Sequence, residues 1–276
     1  MTNIASELSR SLAAAVAAAS TGIVSIDGRR RIGSTGIVWS ADGVIVTANH
    51  TLHANDGIEV DGAPAALVGR DPSTDLAVLR GEKKGLTPIE FTDAEGLQVG
   101  NLVLAAGRPG RSVRAALGIV SALGGEWRTP EGARVERFIE VDGSLPAGFS
   151  GGPLLDTEGR AIGMNTSRLI RGGGTIPAAT LRRVVASILE HGSARRPQLG
   201  VGVYPVEDGL LVMSIKPGSA AAAAGLLVGD ILTSVDGRAL RRPIDLSEAL
   251  RDAAVGSELA LSITRGGESR ELRVTI

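Results

Sequence analysis

Between Gly22 and Ile176 the chain is a succession of short apolar runs, each cut off by Gly, Pro, Asp or Ser. They read "GIVW" at 36–39, "VIVTA" at 44–48, "AALVG" at 65–69, "LAVL" at 76–79, "LVLAAG" at 102–107 and "GIVSAL" at 118–123. Such runs are too short to line a helix face and too closely spaced, at about a dozen residues, for helices to alternate with strands. They predict a mainly β unit, a sandwich or barrel. Helices are expected only at its ends, one over about 4–19 and one over 179–192. In the second, Leu181, Val184, Val185, Ile188 and Leu189 share a face and Gly192 stops it. "SARRP" at 193–197 reads as a linker. A second module, 198–276, offers strands near 199–204, 210–215, 230–235, 258–264 and 270–276, with helices in "SAAAAAG" and at 244–253. The expected division is therefore 1–192, 193–197 and 198–276.

Composition narrows the function. With 43% apolar and 21% charged residues the 276-residue chain is globular, and at 2% aromatics its core must be built from Val, Leu, Ile and Ala. A net charge of −1 gives no field for nucleic acid or an anionic membrane. The absence of cysteine excludes disulfides, thiolate metal sites and cysteine nucleophiles. No segment reaches the roughly 20 apolar residues of a membrane span. "LAAAVAAAS" after Arg10 is read as an ordinary helix and not a leader, since Glu7 precedes it. The expectation is a cytoplasmic protein as written, periplasmic or otherwise extracytoplasmic if a leader has been removed.

The chemistry centres on "AGFSGGPLLD", 147–156, where a serine stands between glycines directly before an apolar run. By itself the loop leaves open whether Ser150 is a turn residue or a nucleophile. A nucleophilic serine needs a base and an oxyanion site. Of the three histidines, His191 ends a helix and His53 lies in a loop, while His50 closes the strand "VIVTANH". Asp75, standing directly before "LAVL", is the best partner to fix its tautomer. The backbone N–H groups of Gly148 and Ser150 would then point at the oxyanion, with Phe149 between them. His50 and His53 lack a third ligand at metal-site spacing, so no metal or cofactor is expected.

Three motifs carry a resemblance. "DGVIVTANH", "GRDPSTDLAVL" and "GFSGGPLLDTEGRAIGMNTS", followed by "QLGV" and "SAAAAAGLLVGDILTSVDGRAL", resemble the HtrA/Deg trypsin-like serine proteases with a C-terminal PDZ domain. The resemblance implies a chymotrypsin-like double β-barrel followed by an α+β PDZ domain. It makes His50 the general base, Asp75 its orienter and Ser150 the nucleophile. The chain departs from the family at Phe149, where Asn is usual, and at Thr51, where Val is. The family commonly trimerises through N-terminal aromatics, so a homotrimer is implied, although no aromatic precedes Trp39.

Six residues before the nucleophile, Ser144 occupies the pocket base, where a carboxylate would select Lys or Arg. With Leu145 beside it and Asn165, Thr166 and Ser167 as another wall, small or medium apolar side chains are expected. In the second module Leu199, Gly200 and Val201 would hold a C-terminal carboxylate, with Leu246 and Leu250 lining the groove. The function expected is an ATP-independent serine endopeptidase of quality control, cutting unfolded polypeptides and gripping protein C-termini. The alternatives are a non-catalytic adaptor whose Phe149 keeps the oxyanion loop collapsed, and a regulatory protease with one partner.

Overall fold

The computed structural model describes residues 3–28, 33–93, 95–170, 173–192, 198–251, 253 and 256–276. The chain falls into two compact units, Met1–Ala194 and Arg195–Ile276. The expected linker, 193–197, lies outside the described residues.

The first unit opens with α1 (Ile4–Ala19), capped by the Asn3 side chain, which accepts the Ala5 N–H at 3.1 Å. Six strands follow: β1 (Ile23–Asp27), β2 (Ser34–Val38), β3 (Val44–Ala48), β4 (Ile58–Val60), β5 (Ala63–Asp71) and β6 (Leu76–Gly81). They close into a barrel in the order β1-β2-β3-β6-β5-β4, the ring completed where Ile26 pairs with Val60. The buried strands read as unbroken apolar runs because both their faces are covered. On β3, Ile45 points into the barrel while Val44, Val46 and Ala48 face a second cluster. On β6, Ala77 and Leu79 point inward while Leu76 and Val78 join that second cluster. The two-residue period thus supplies one barrel's interior and a seam with the other.

The second sheet comes from β7 (Leu102–Gly107), β8 (Arg114–Gly124), β11 (Phe138–Val141), β12 (Pro153–Leu155), β13 (Ala161–Thr166) and β14 (Gly174–Pro177). The short pair β9 (Trp127–Arg128) and β10 (Arg134–Val135) stands apart. The order is β11-β8-β7-β12-β13-β14, and the two outer strands lie against each other. Leu104, Leu155 and Met164 reach the seam, where Leu181, Val184, Val185 and Ile188 of α2 (Ala178–His191) also pack. That helix ends at Gly192, whose left-handed backbone (φ 73°) returns its N–H to Ile188 O at 2.7 Å.

The second unit is a sheet ordered β15 (Val201–Val206), β16 (Gly209–Ile215), β17 (Ile231–Val235), β19 (Glu258–Arg265) and β20 (Glu268–Thr275), with β18 (Arg238–Ala239) paired to β17. Two helices accompany it, α3 (Ala220–Ala223) and α4 (Pro243–Arg251). Leu210, Val212, Leu232, Leu261 and Ile263 fill its core. Among the described residues no helix is long and apolar enough to cross a membrane.

Among the described residues Asp230 is the one charged side chain buried in this unit, at 1% exposure. Arg265 grips it through Nε and Nη2, each at 2.7 Å, and the Leu227 N–H adds a third bond at 2.8 Å. The Arg265 bonds hold the Asp230 carboxyl below the usual carboxylate range, against the opposing effect of burial. A depressed carboxyl stabilises the fold above its ordinary range, and that contribution is lost as pH falls through the depressed value. Asp230→Ala is therefore expected to destabilise the unit at neutral pH, by loss of the Arg265 pair and of the acceptor for the Leu227 N–H. The difference from the wild type should narrow as denaturation curves are taken from pH 7 down below pH 4.

Candidate active site

The site begins at the turn between β5 and β6. Asp71, buried at the end of β5, accepts from the Ser73 N–H at 3.1 Å and from the Thr74 hydroxyl at 2.9 Å. This turn delivers Asp75 in the left-handed region (φ 57°), a conformation that Asp tolerates better than most residues. Its carboxylate is then surrounded by donors. Oδ1 accepts the His50 N–H at 2.8 Å, and Oδ2 takes His50 Nδ1 at 2.6 Å together with the Thr166 hydroxyl. The Asp75 carbonyl also accepts the Asn49 N–H at 2.9 Å. Because a carboxylate accepts at Nδ1, the ring proton sits there and Nε2 carries the free lone pair.

His50 stands in the turn Asn49–Thr51 that leaves β3. A residue that sequence reasoning passed over holds that turn in place. Arg70, on β5, donates from Nη1 to Asn49 Oδ1 at 3.0 Å and Leu52 O at 3.1 Å, and from Nη2 to Ala54 O at 2.7 Å. Burial lowers its pKa. The signal available in the sequence was a lone arginine just before "DPSTD", too little to point across to another strand.

Ser150 follows a loop that only glycine can make. Gly148 has φ 82°, and a Cβ there would come within 2.4 Å of Pro109 Cβ. The Thr35 hydroxyl fixes the loop by donating to Gly148 O at 2.7 Å while accepting the Arg108 N–H at 2.8 Å. Among the described residues, neither the Gly148 nor the Ser150 N–H has an acceptor. Phe149 is 3% exposed, its ring so close on Gly107 that a Cβ at 107 would stand 2.8 Å from it. The large side chain is thus seated in a recess of β7.

The structure brings His50, Asp75 and Ser150 to one place but puts Thr166 and Ser167 elsewhere than the pocket wall expected of them. Thr166 is spent on Asp75. Ser167 lies between the other two groups: its Oγ is 3.3 Å from His50 Nε2 and 3.3 Å from Ser150 Oγ, and its N–H donates to Ser150 Oγ at 3.2 Å. The pocket beside the site has an empty volume of about 450 Å³, partly open to solvent. Ser144, Leu145, Ala116, Val141 and Asn165 line it, with the exposed Asp142 as the one carboxylate among the described residues.

In the second unit Gly200 has φ 77° and admits no side chain, since a Cβ would lie 2.3 Å from Ser219 Cβ. The N–H groups of Leu199 and Gly200 have no acceptor among the described residues. Val201 opens β15, an outer strand of its sheet. Leu246 and Leu250, expected along a groove, are 6% and 8% exposed and belong to the core. Their helical face is occupied by its own sheet.

A barrel pair with such a serine loop, followed by a small sheet with an open outer strand, defines a trypsin-like peptidase domain joined to a PDZ domain. Family models agree: a trypsin-like peptidase domain matches residues 34–164 and a PDZ domain matches 197–276. The chain belongs to the HtrA family. It is 30% identical to a solved HtrA-type protease AlgW with tripeptide, covering 96% of each chain at a TM-score of 0.62. To the same protease with decapeptide it is 28% identical, covering 96% of this chain and 97% of that one, TM-score 0.65. A probable periplasmic serine endoprotease, DegP-like, of Brucella suis is 35% identical over 88% of this chain and 52% of that protein. The periplasmic pH-dependent serine endoprotease DegQ of Escherichia coli is 34% identical over 89% of this chain and 59% of that protein. The chain spans little more than half the length of these curated relatives.

Removing the ring that anchors the serine loop should be costly. Phe149→Ala is expected to destabilise the first unit by about 3–5 kcal/mol, read in guanidinium unfolding followed by tryptophan fluorescence.

Proposed function

We propose that the chain is a serine endopeptidase in which Ser150 attacks the scissile carbonyl. His50 Nε2 takes the serine proton and returns it to the leaving amine, and water then hydrolyses the acyl-enzyme with His50 again as base. Asp75 holds the imidazole in the Nδ1–H tautomer and stabilises the imidazolium. The N–H groups of Gly148 and Ser150 receive the oxyanion, where the loss of one donor costs about 3–4 kcal/mol of barrier. The observation that carries this reading is the closed Asp75–His50 pair beside a serine whose loop leaves two N–H groups unclaimed. Phe149 was the argument for a non-catalytic adaptor. With its ring buried against Gly107 and those N–H groups open, it favours the enzyme.

The pocket supports cleavage after small or medium apolar residues such as Val, Ala or Leu, since Ser144 offers no charge at its base. The second unit would capture chain ends, the carboxylate at the Leu199 and Gly200 N–H groups and the backbone along β15. Together these suit a protease of protein quality control acting on unfolded polypeptides without ATP. The relatives' names favour the periplasm, where we place this chain.

Fluorophosphonate labelling tests the reading without assuming a substrate. The adduct is expected on Ser150 and absent from Ser150→Ala, with Asp75→Asn slowing peptide hydrolysis by around four orders of magnitude. A wild type that takes no label with or without an apolar C-terminal peptide would make the adaptor the better account. In a peptide library, cutting is expected after Val, Ala or Leu. Cutting chiefly after Arg would overturn the apolar pocket and point to Asp142.

A further inference from the structure

Catalysis by this constellation needs the Ser150 hydroxyl on His50 Nε2, yet both of them are occupied by a third side chain. Ser150 Oγ donates to Ser167 Oγ at 3.3 Å and accepts the Ser167 N–H at 3.2 Å. Since Nδ1–H is committed to Asp75, Nε2 is an acceptor and takes the Ser167 hydroxyl at 3.3 Å. No hydrogen bond joins Ser150 Oγ directly to His50 among the described residues.

We propose that Ser167 is a positioning residue that holds the nucleophile off its base in the resting site, and that hydrolysis proceeds after its hydroxyl turns away. The proposal rests on the peptidase reading and adds a regulation to it. Two features make the contact a reversible latch and not a fixed member of the site. Both oxygen-to-acceptor distances lie beyond the usual 2.5–3.0 Å of a hydroxyl bond, so each bond is weak. Ser167 is also exposed, so its hydroxyl exchanges these partners for water at little cost. The backbone around it, by contrast, is held. Thr166 is tied to Asp75, and the Arg168 N–H donates to the Thr166 hydroxyl at 3.1 Å. The side chain of Ser167 can therefore rotate without moving the carboxylate that orients His50. A relay through Ser167 would use the same contacts but predicts the opposite result, because removing the hydroxyl would break the proton's path.

The experiment is the concentration dependence of fluorophosphonate inactivation of the full chain, for the wild type, Ser167→Ala and Ser167→Thr. With the latch, Ser167→Ala raises the maximal inactivation rate about two- to threefold, as expected for bonds at the weak end of the net hydrogen-bond range. The half-saturating probe concentration stays unchanged, whereas a change in the shape of the cleft would move it. Ser167→Thr keeps a hydroxyl and is expected near the wild-type rate. An Ala variant that labels at the wild-type rate or more slowly overturns the latch, and slower labelling supports the relay. Failure of all three proteins to label sinks the peptidase reading itself and the latch with it, an outcome distinct from the others.

Discussion

One buried carboxylate holds the first unit's working parts in register. Asp75 sits at the start of a strand in the first barrel, and its oxygens accept from the turn after β3 and from the last residue of β13 in the second sheet. Bonds to charged acceptors are about twice as strong as neutral ones. This carboxylate collects its donors where the two β layers meet, beside a seam of Leu76, Val78, Leu104 and Met164. Apolar packing brings the barrels together without fixing how they slide. The carboxylate supplies the direction that packing lacks, and His50 is oriented as a by-product of that registration. Arg70 completes the arrangement from the same strand as the Asp75 turn, by tying down three groups of the loop around His50.

Much of this was legible in the sequence, and the limits have physical causes. The buried strands announced themselves because both faces are covered, which turns alternation into solid runs such as "VIVTA" and "LVLAAG". Strands such as β1, β4, β11 and β14 were passed over. Each is short, and β1 alternates polar residues with apolar ones: Ser25 meets the Asp61 carboxylate while Val24 and Ile26 turn inward. Local pattern cannot separate such strands from the loops around them. The residues near Ser150 were legible through their motifs, since Gly148 and Gly151 stand where no side chain fits.

What local reading could not resolve was the direction of a side chain at a strand's end. "NTS" was placed on one wall of a pocket, but where β13 ends, successive residues diverge. Asn165 lines the pocket, Thr166 turns to Asp75, and Ser167 enters the space between His50 and Ser150. The same difficulty arises in the second unit. Leu246 and Leu250 have the i, i+4 spacing of a groove wall and equally that of a core face. The sheet beneath α4 claims them.

The outer strand β15 has a further property. Its sequence is "VGVYPV", and Pro205 has no N–H to offer a neighbour. A row of free backbone groups invites any extended chain, another copy of this protein included. Proline interrupts that row shortly after it begins. A chain pairing along this strand from the Gly200 end would meet no backbone donor at Pro205, which shortens the template open to it. One imino acid thereby limits how far an added strand could extend along this edge.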